Sequence, residues 1–149
     1  MRTLEARIDI DASPDAVWAT LLDFPAYPEW NPFITSIEGE PRVGERLKVR
    51  LEPPDSRGIG MKPVVRAVEP ASRFAWLGHL LVPHIFDGGH EFVISARSDG
   101  GSTFVQHEEF GGILVPLVGK VLASTEAGFE AMNAALKARV EERTGSRKA

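Results

Sequence analysis

The chain has 149 residues, 43% of them hydrophobic, a formal net charge of −4 and no cysteine. That length and apolar content suit one domain with one core, 1–149 with 144–149 as a frayed tail, while the charge excludes a basic nucleic-acid groove and the missing thiols exclude disulfides. Charges at Arg2, Glu5 and Arg7 stand where a signal peptide needs an apolar run, and the most apolar segment, 113–123, holds Pro116 and Lys120 and is shorter than the ~20 residues of a membrane span. The expectation is a cytoplasmic protein with no transmembrane helix.

In chain order, Leu4, Ala6, Ile8 and Ile10 alternate with Glu5, Arg7, Asp9 and Asp11, the period-two pattern of a half-buried strand. Ser13-Pro14-Asp15 then offers an N-cap, a proline at the first helical position and an acid in the first turn, and Val17, Trp18, Leu21 and Leu22 predict a short helix to about Asp23. From Phe24 to Phe33 three prolines forbid a long helix, while four aromatics, Trp30 and Phe33 among them, need burial; one more helical turn closing an end of the sheet fits both.

Strands follow. Phe33 to Glu38 and Leu47 to Leu51 pair as a hairpin around the turn 39–44, and 53–58 is a loop. Met61 to Glu69 reads as one strand, with Pro63 arguing for an edge or a bulge. Phe74, Trp76, Gly78 and Leu80 form an apolar face that turns His79 away. A turn over 83–89, with His84 and Phe86, leads to a strand from His90 to Arg97, and Ser98 to Gly101 connects it to a last strand, Ser102 to Phe110.

The long helix closes the chain. Val118, Leu122, Thr125, Phe129, Met132, Leu136 and Val140 recur at three or four positions, so they share one helix face that needs a broad apolar partner, such as a curved sheet. Gly119 and Gly128 each cost about 1 kcal/mol of helix propensity relative to alanine, which suggests thinning where the helix meets the sheet or a ligand. Glu126, Glu130, Lys137, Arg139, Glu141 and Glu142 read as a solvated face.

Alternation also places polar groups inside. If Phe104 and Phe110 are buried, so are Gln106 and Glu108; if Phe92, Ile94 and Ala96 are buried, so is His90, with Glu91, His107 and Glu109 outside. A three-residue loop Ser98-Asp99-Gly100 puts His90 directly opposite Glu108; a loop shifted by one makes them diagonal neighbours. The pair has two readings: a ligand-binding or proton-exchanging couple, or a hydrogen-bonded pair serving stability, with Glu108 alternatively bonded to amides near Gly111 and Gly112. Trp30, Trp76 and Phe86 are core first and ligand contacts second.

His79, His84, His90 and His107 form no metal-ligand spacing, and Gly58-Ile59-Gly60 and Gly88-Gly89 precede strands rather than helix N-termini, so neither a metal nor a nucleotide cofactor is indicated.

Three stretches, Tyr27-Pro28-Glu29-Trp30-Asn31-Pro32-Phe33, Gly88-Gly89-His90-Glu91-Phe92 and 108–114 (Glu-Glu-Phe-Gly-Gly-Ile-Leu) leading into the long helix, resemble the polyketide cyclase/dehydrase and lipid-transport group of the START-like, helix-grip superfamily, often called SRPBCC. The resemblance covers nearly the whole chain. It implies an α+β fold: a curved antiparallel sheet of about six to seven strands wrapped around the C-terminal helix, with two short helices after the first strand and a deep apolar cavity. Such cavities bind lipids, sterols, hormones or polyketides, and some members catalyse cyclisation.

Three functions are compatible with this. The favoured one is binding of a hydrophobic small molecule, without cofactor, by a monomer or homodimer, in a cavity lined by Trp76, Phe92, Phe104, Leu122, Thr125 and Phe129, with Trp30, Phe33, Leu80, Phe86, His90, Gln106 and Glu108 as further ligand contacts. A second is a cyclase or dehydratase with His90 or Glu108 as general acid/base. The third is a protein-interaction module with a filled cavity.

Overall fold

The computed structural model describes residues 2–54, 57–80, 86–111 and 119–145, with side chains described for all of these except 79–80, 86–87 and 119–121. β1 (Arg2–Ile10) leads to α1 (Pro14–Leu21), where the Ser13 hydroxyl accepts from the Ala16 N–H at 3.2 Å and proline occupies the first turn. A 3-10 turn (Phe24–Ala26) and the single-turn α2 (Tyr27–Trp30) follow, the fragmentation expected of a proline-rich stretch.

The remaining strands are β2 (Ile34–Glu38), β3 (Lys48–Leu51), β4 (Ile59–Met61), β5 (Val64–Glu69), β6 (Arg73–Leu80), β7 (Phe86–Ala96) and β8 (Ser102–Gly111), and α3 (Gly119–Thr144) comes last. One antiparallel sheet has the order β1-β8-β7-β6-β5, and a second has the order β2-β3-β4. They join edge to edge through the Arg46–Val64 bridge, the Leu47 N–H donating to the Pro63 carbonyl at 2.8 Å and the Val65 N–H donating to Glu45 at 2.9 Å.

Among the described residues, eight strands replace the expected six or seven because 61–69 is not one strand. Proline has no N–H, so Pro63 interrupts the ladder; β4 stays with the small sheet and β5 enters the large one. A second difference is the start of β7. Phe86–Gly89 is strand rather than turn: Gly88 pairs with Gly78 on one side and Phe110 on the other.

The β7–β8 connection is the three-residue loop, with Gly100 at φ +89° and the Arg97 N–H bonded to the Gly101 carbonyl at 2.9 Å. α3 packs along β1 and α1 and buries Leu122, Phe129, Met132, Leu136 and Val140, with Thr125 half-buried. Val118 and the Gly119 contacts lie outside the described residues.

Glu141 departs from the solvated face assigned to it. Its carboxylate is buried, accepts from the Asp11 N–H at 2.9 Å and pairs with Lys137, whose ammonium also reaches the Asp9 carbonyl at 3.0 Å. Asp11 follows the last residue of β1, so its N–H has no partner in the β1–β8 ladder and takes a side-chain acceptor instead.

Candidate functional site

The site grows from the β7–β8 register. His90 faces Glu108, Phe92 faces Gln106 and Ile94 faces Phe104, and all six side chains lie on the buried face. The outward set is separate: Glu91 binds Arg73, Thr103 donates to Asp9, and His107 lies between Glu5 and Glu109.

His90 Nδ1 lies 2.9 Å from Glu108 Oε1, with side-chain exposures of 3% and 12%. At that distance one hydrogen must stand between nitrogen and oxygen, whichever atom owns it. On the opposite edge of the ring, His90 Nε2 is 3.0 Å from Gln106 Oε1. Gln106 Nε2 donates to Asn133 Oδ1 at 2.8 Å and to the Phe129 carbonyl at 3.2 Å, so one unbroken polar chain runs from Glu108 on the sheet to α3. Asn133 Nδ2 is buried without a hydrogen-bond partner among the described residues.

Aromatic rings enclose this chain. His90 stacks on Phe92 with centroids 4.2 Å apart, and its ring lies 4.9 Å from Phe129 and 5.3 Å from Trp76. Phe129 also meets Phe33 edge-on at 5.6 Å. Residues expected to line the space between sheet and helix are therefore in contact with one another.

Of the other residues singled out, Leu122 and Phe104 are fully buried, and Trp30 is half-buried edge-on to Tyr27, its Nε1 without a partner among the described residues. Leu80 and Phe86 pair through their backbones at one end of β6 and β7, but their side chains and that of His79, and the whole of His84, lie outside what is described. A surface groove of about 410 Å³ lies at the other end of the strands, between Asp11–Ala16 and Asp99–Gly101, and contains no singled-out residue.

Two participants escaped the sequence reading. Gly88 lets Glu108 approach the backbone: a Cβ there would stand 2.4 Å from Glu108 Oε2. A glycine pair inside a strand pattern is the signal for such an approach. Asn133, beside Met132 on the helix stripe, had no signal beyond being polar next to an apolar position.

The phenol of Tyr27 donates to the Leu21 carbonyl, and burial, reinforced by Asp23, pushes its pKa well above the ordinary tyrosine value. It belongs to the packing of α1 and α2 rather than to the polar chain.

A family model described as polyketide cyclase/dehydrase and lipid transport matches residues 1–141. The chain belongs to this family. Among solved structures, the chain is similar to the Zhui aromatase/cyclase from a Streptomyces species (TM-score 0.79, 16% identity, covering 96% of this chain and 95% of that one). It is also similar to a START superfamily protein from Mycobacterium smegmatis (TM-score 0.73, 20% identity, 95% and 98% covered) and to a protein from Mesorhizobium loti (TM-score 0.76, 19% identity, 96% and 98% covered). At these identities the likeness concerns the helix-grip fold of the family. No curated protein matches the sequence.

Proposed function

We propose that the protein binds a hydrophobic small molecule of lipid, polyketide or aromatic type between the sheet and α3, with Glu108 as its polar anchor. The observation that carries this reading is the state of the Glu108 carboxyl. One oxygen is engaged by His90, the group makes no other hydrogen bond or ion pair among the described residues, and the side chain keeps 12% exposure beside a histidine that packs against Trp76 and Phe92. A carboxyl held this way offers a hydroxyl or carbonyl group of a ligand a directional partner in otherwise apolar surroundings.

Native mass spectrometry of freshly purified protein, followed by fluorescence titration with naphthol and naphthalene, tests it. The expected result is a preference for naphthol of about tenfold or more, the size of one hydrogen bond, that disappears in Glu108→Leu. A protein that carries no small molecule and binds neither probe contradicts this reading and favours an interaction module with a filled core.

Catalysis is the second reading, favoured by the same pair: a histidine and a carboxyl sharing a proton form an acid–base couple suited to cyclisation or dehydration. It requires turnover that Glu108→Gln abolishes while binding persists.

A further inference from the structure

We infer that Gln106, expected from sequence to touch ligand, is instead a positioning residue that locks His90 with its hydrogen on Nε2 and leaves Glu108 as the group through which the pair exchanges a proton. The argument begins at a backbone atom. The Phe129 carbonyl is an acceptor in any protonation state, and the Gln106 amide lies 3.2 Å from it. The end of the amide facing that carbonyl must therefore be the NH2 group, which also donates to Asn133 Oδ1. The opposite end is then the carbonyl oxygen, and it faces His90 Nε2 at 3.0 Å.

An acceptor at that distance requires a donor, so Nε2 carries hydrogen. The helix backbone thus dictates, through one amide, the tautomer of a histidine on the sheet. Gln106 is fully buried, and both ends of its amide are occupied by protein, which leaves it no group to offer a ligand.

With Nε2 committed, the pair's movable hydrogen lies between Nδ1 and Glu108 Oε1. Either the ring is cationic beside a carboxylate, or a neutral ring accepts from a protonated carboxyl; the two forms differ by one proton transferred along a 2.9 Å contact. The ring itself is closed off, stacked on Phe92 and touching Phe129 and Trp76. Exchange with a bound molecule then passes through Glu108 Oε2, the oxygen lying over Gly88. This last step rests on the binding reading above; the tautomer does not.

Nitrogen-15 NMR of the ligand-free protein, with His90 assigned by comparison with His90→Phe, tests the lock. On titration to the neutral ring, wild-type His90 should keep its hydrogen on Nε2. In Gln106→Leu, where Nε2 has lost its acceptor, the hydrogen should move to Nδ1 and donate to the Glu108 carboxylate. A wild-type ring with hydrogen on Nδ1 alone, or an unchanged Nε2–H form in a folded Gln106→Leu, overturns the inference. If Gln106→Leu fails to fold, the wild-type tautomer alone decides. Because no ligand is present, this result is independent of the naphthol titration.

Discussion

The ring of Phe33 lies directly on Gly128: a Cβ at that glycine would stand 2.4 Å from the Phe33 Cδ1 and 2.6 Å from Cε1. The helix is thinned where the residue leading into β2 crosses it, and that ring in turn meets Phe129 edge-on. At an ordinary exposed helix position, glycine to alanine stabilises by about 1 kcal/mol. Here Gly128→Ala should destabilise by about 1–3 kcal/mol, since neither ring has room to yield. Urea denaturation measures it, and Phe33→Leu combined with Gly128→Ala should recover part of the loss relative to the sum of the two.

Gly88→Ala addresses the carboxyl. The added methyl meets the far end of a flexible side chain, so folding should suffer by no more than about 1 kcal/mol, near the lower limit of overpacking. Glu108 is displaced from its place beside His90, however, and the naphthol preference should fall as it does in Glu108→Leu. Wild-type preference in a folded Gly88→Ala protein would show that Glu108 has no need of this position.

Phe129→Ala removes a fully buried ring that contacts Phe33 and His90. The expected cost is about 3–5 kcal/mol. A measured loss under about 2 kcal/mol would mean that the ring borders empty space rather than packed core, and addition of naphthalene should then restore the melting temperature.

Tyr27 is the only tyrosine in the chain, which gives a clean optical signal. Because its phenol ionises less readily folded than unfolded, its contribution to stability is complete below the ordinary pKa of about 10 and declines above it by about 1.4 kcal/mol per pH unit. Alkaline titration should reveal tyrosinate absorbance only together with unfolding. Tyr27→Phe should cost about 1 kcal/mol at neutral pH, by leaving the Leu21 carbonyl without its phenol donor, and should flatten the alkaline slope. Reversible tyrosinate formation in a protein that stays folded would contradict this account.

Much of the architecture was legible because each signal is local. Alternation in Ser102 to Phe110 marked which side chains face inward, and an odd loop brought His90 within reach of Glu108; only the structure chose the loop 98–100, which sets them directly opposite, over the shifted one. What local patterning misses are partners across the core. Nothing in the spacing of α3 says that Asn133 and the Phe129 carbonyl meet Gln106, and nothing in the charge pattern says that Glu141 is drawn inward by a free N–H at Asp11. Pro63 announced an interruption, but whether the chain bulges within one sheet or changes sheets depends on where β3 lies.

The pairing of β1 with β8 also fixes when the molecule can finish folding. The Ser102 hydroxyl binds the Ala12 carbonyl across 90 positions of sequence, and the Asp11 N–H binds Glu141 across 130. During synthesis at ~5–20 residues per second, β1 emerges roughly 5–20 s before its partner strand exists, with Leu4, Ala6 and Ile10 uncovered in the interval. Closure of the sheet must await the segment that also carries Gln106 and Glu108, and the polar chain waits longer still, for Phe129 and Asn133 of α3, so β1 presents an unpaired edge to other chains throughout that interval.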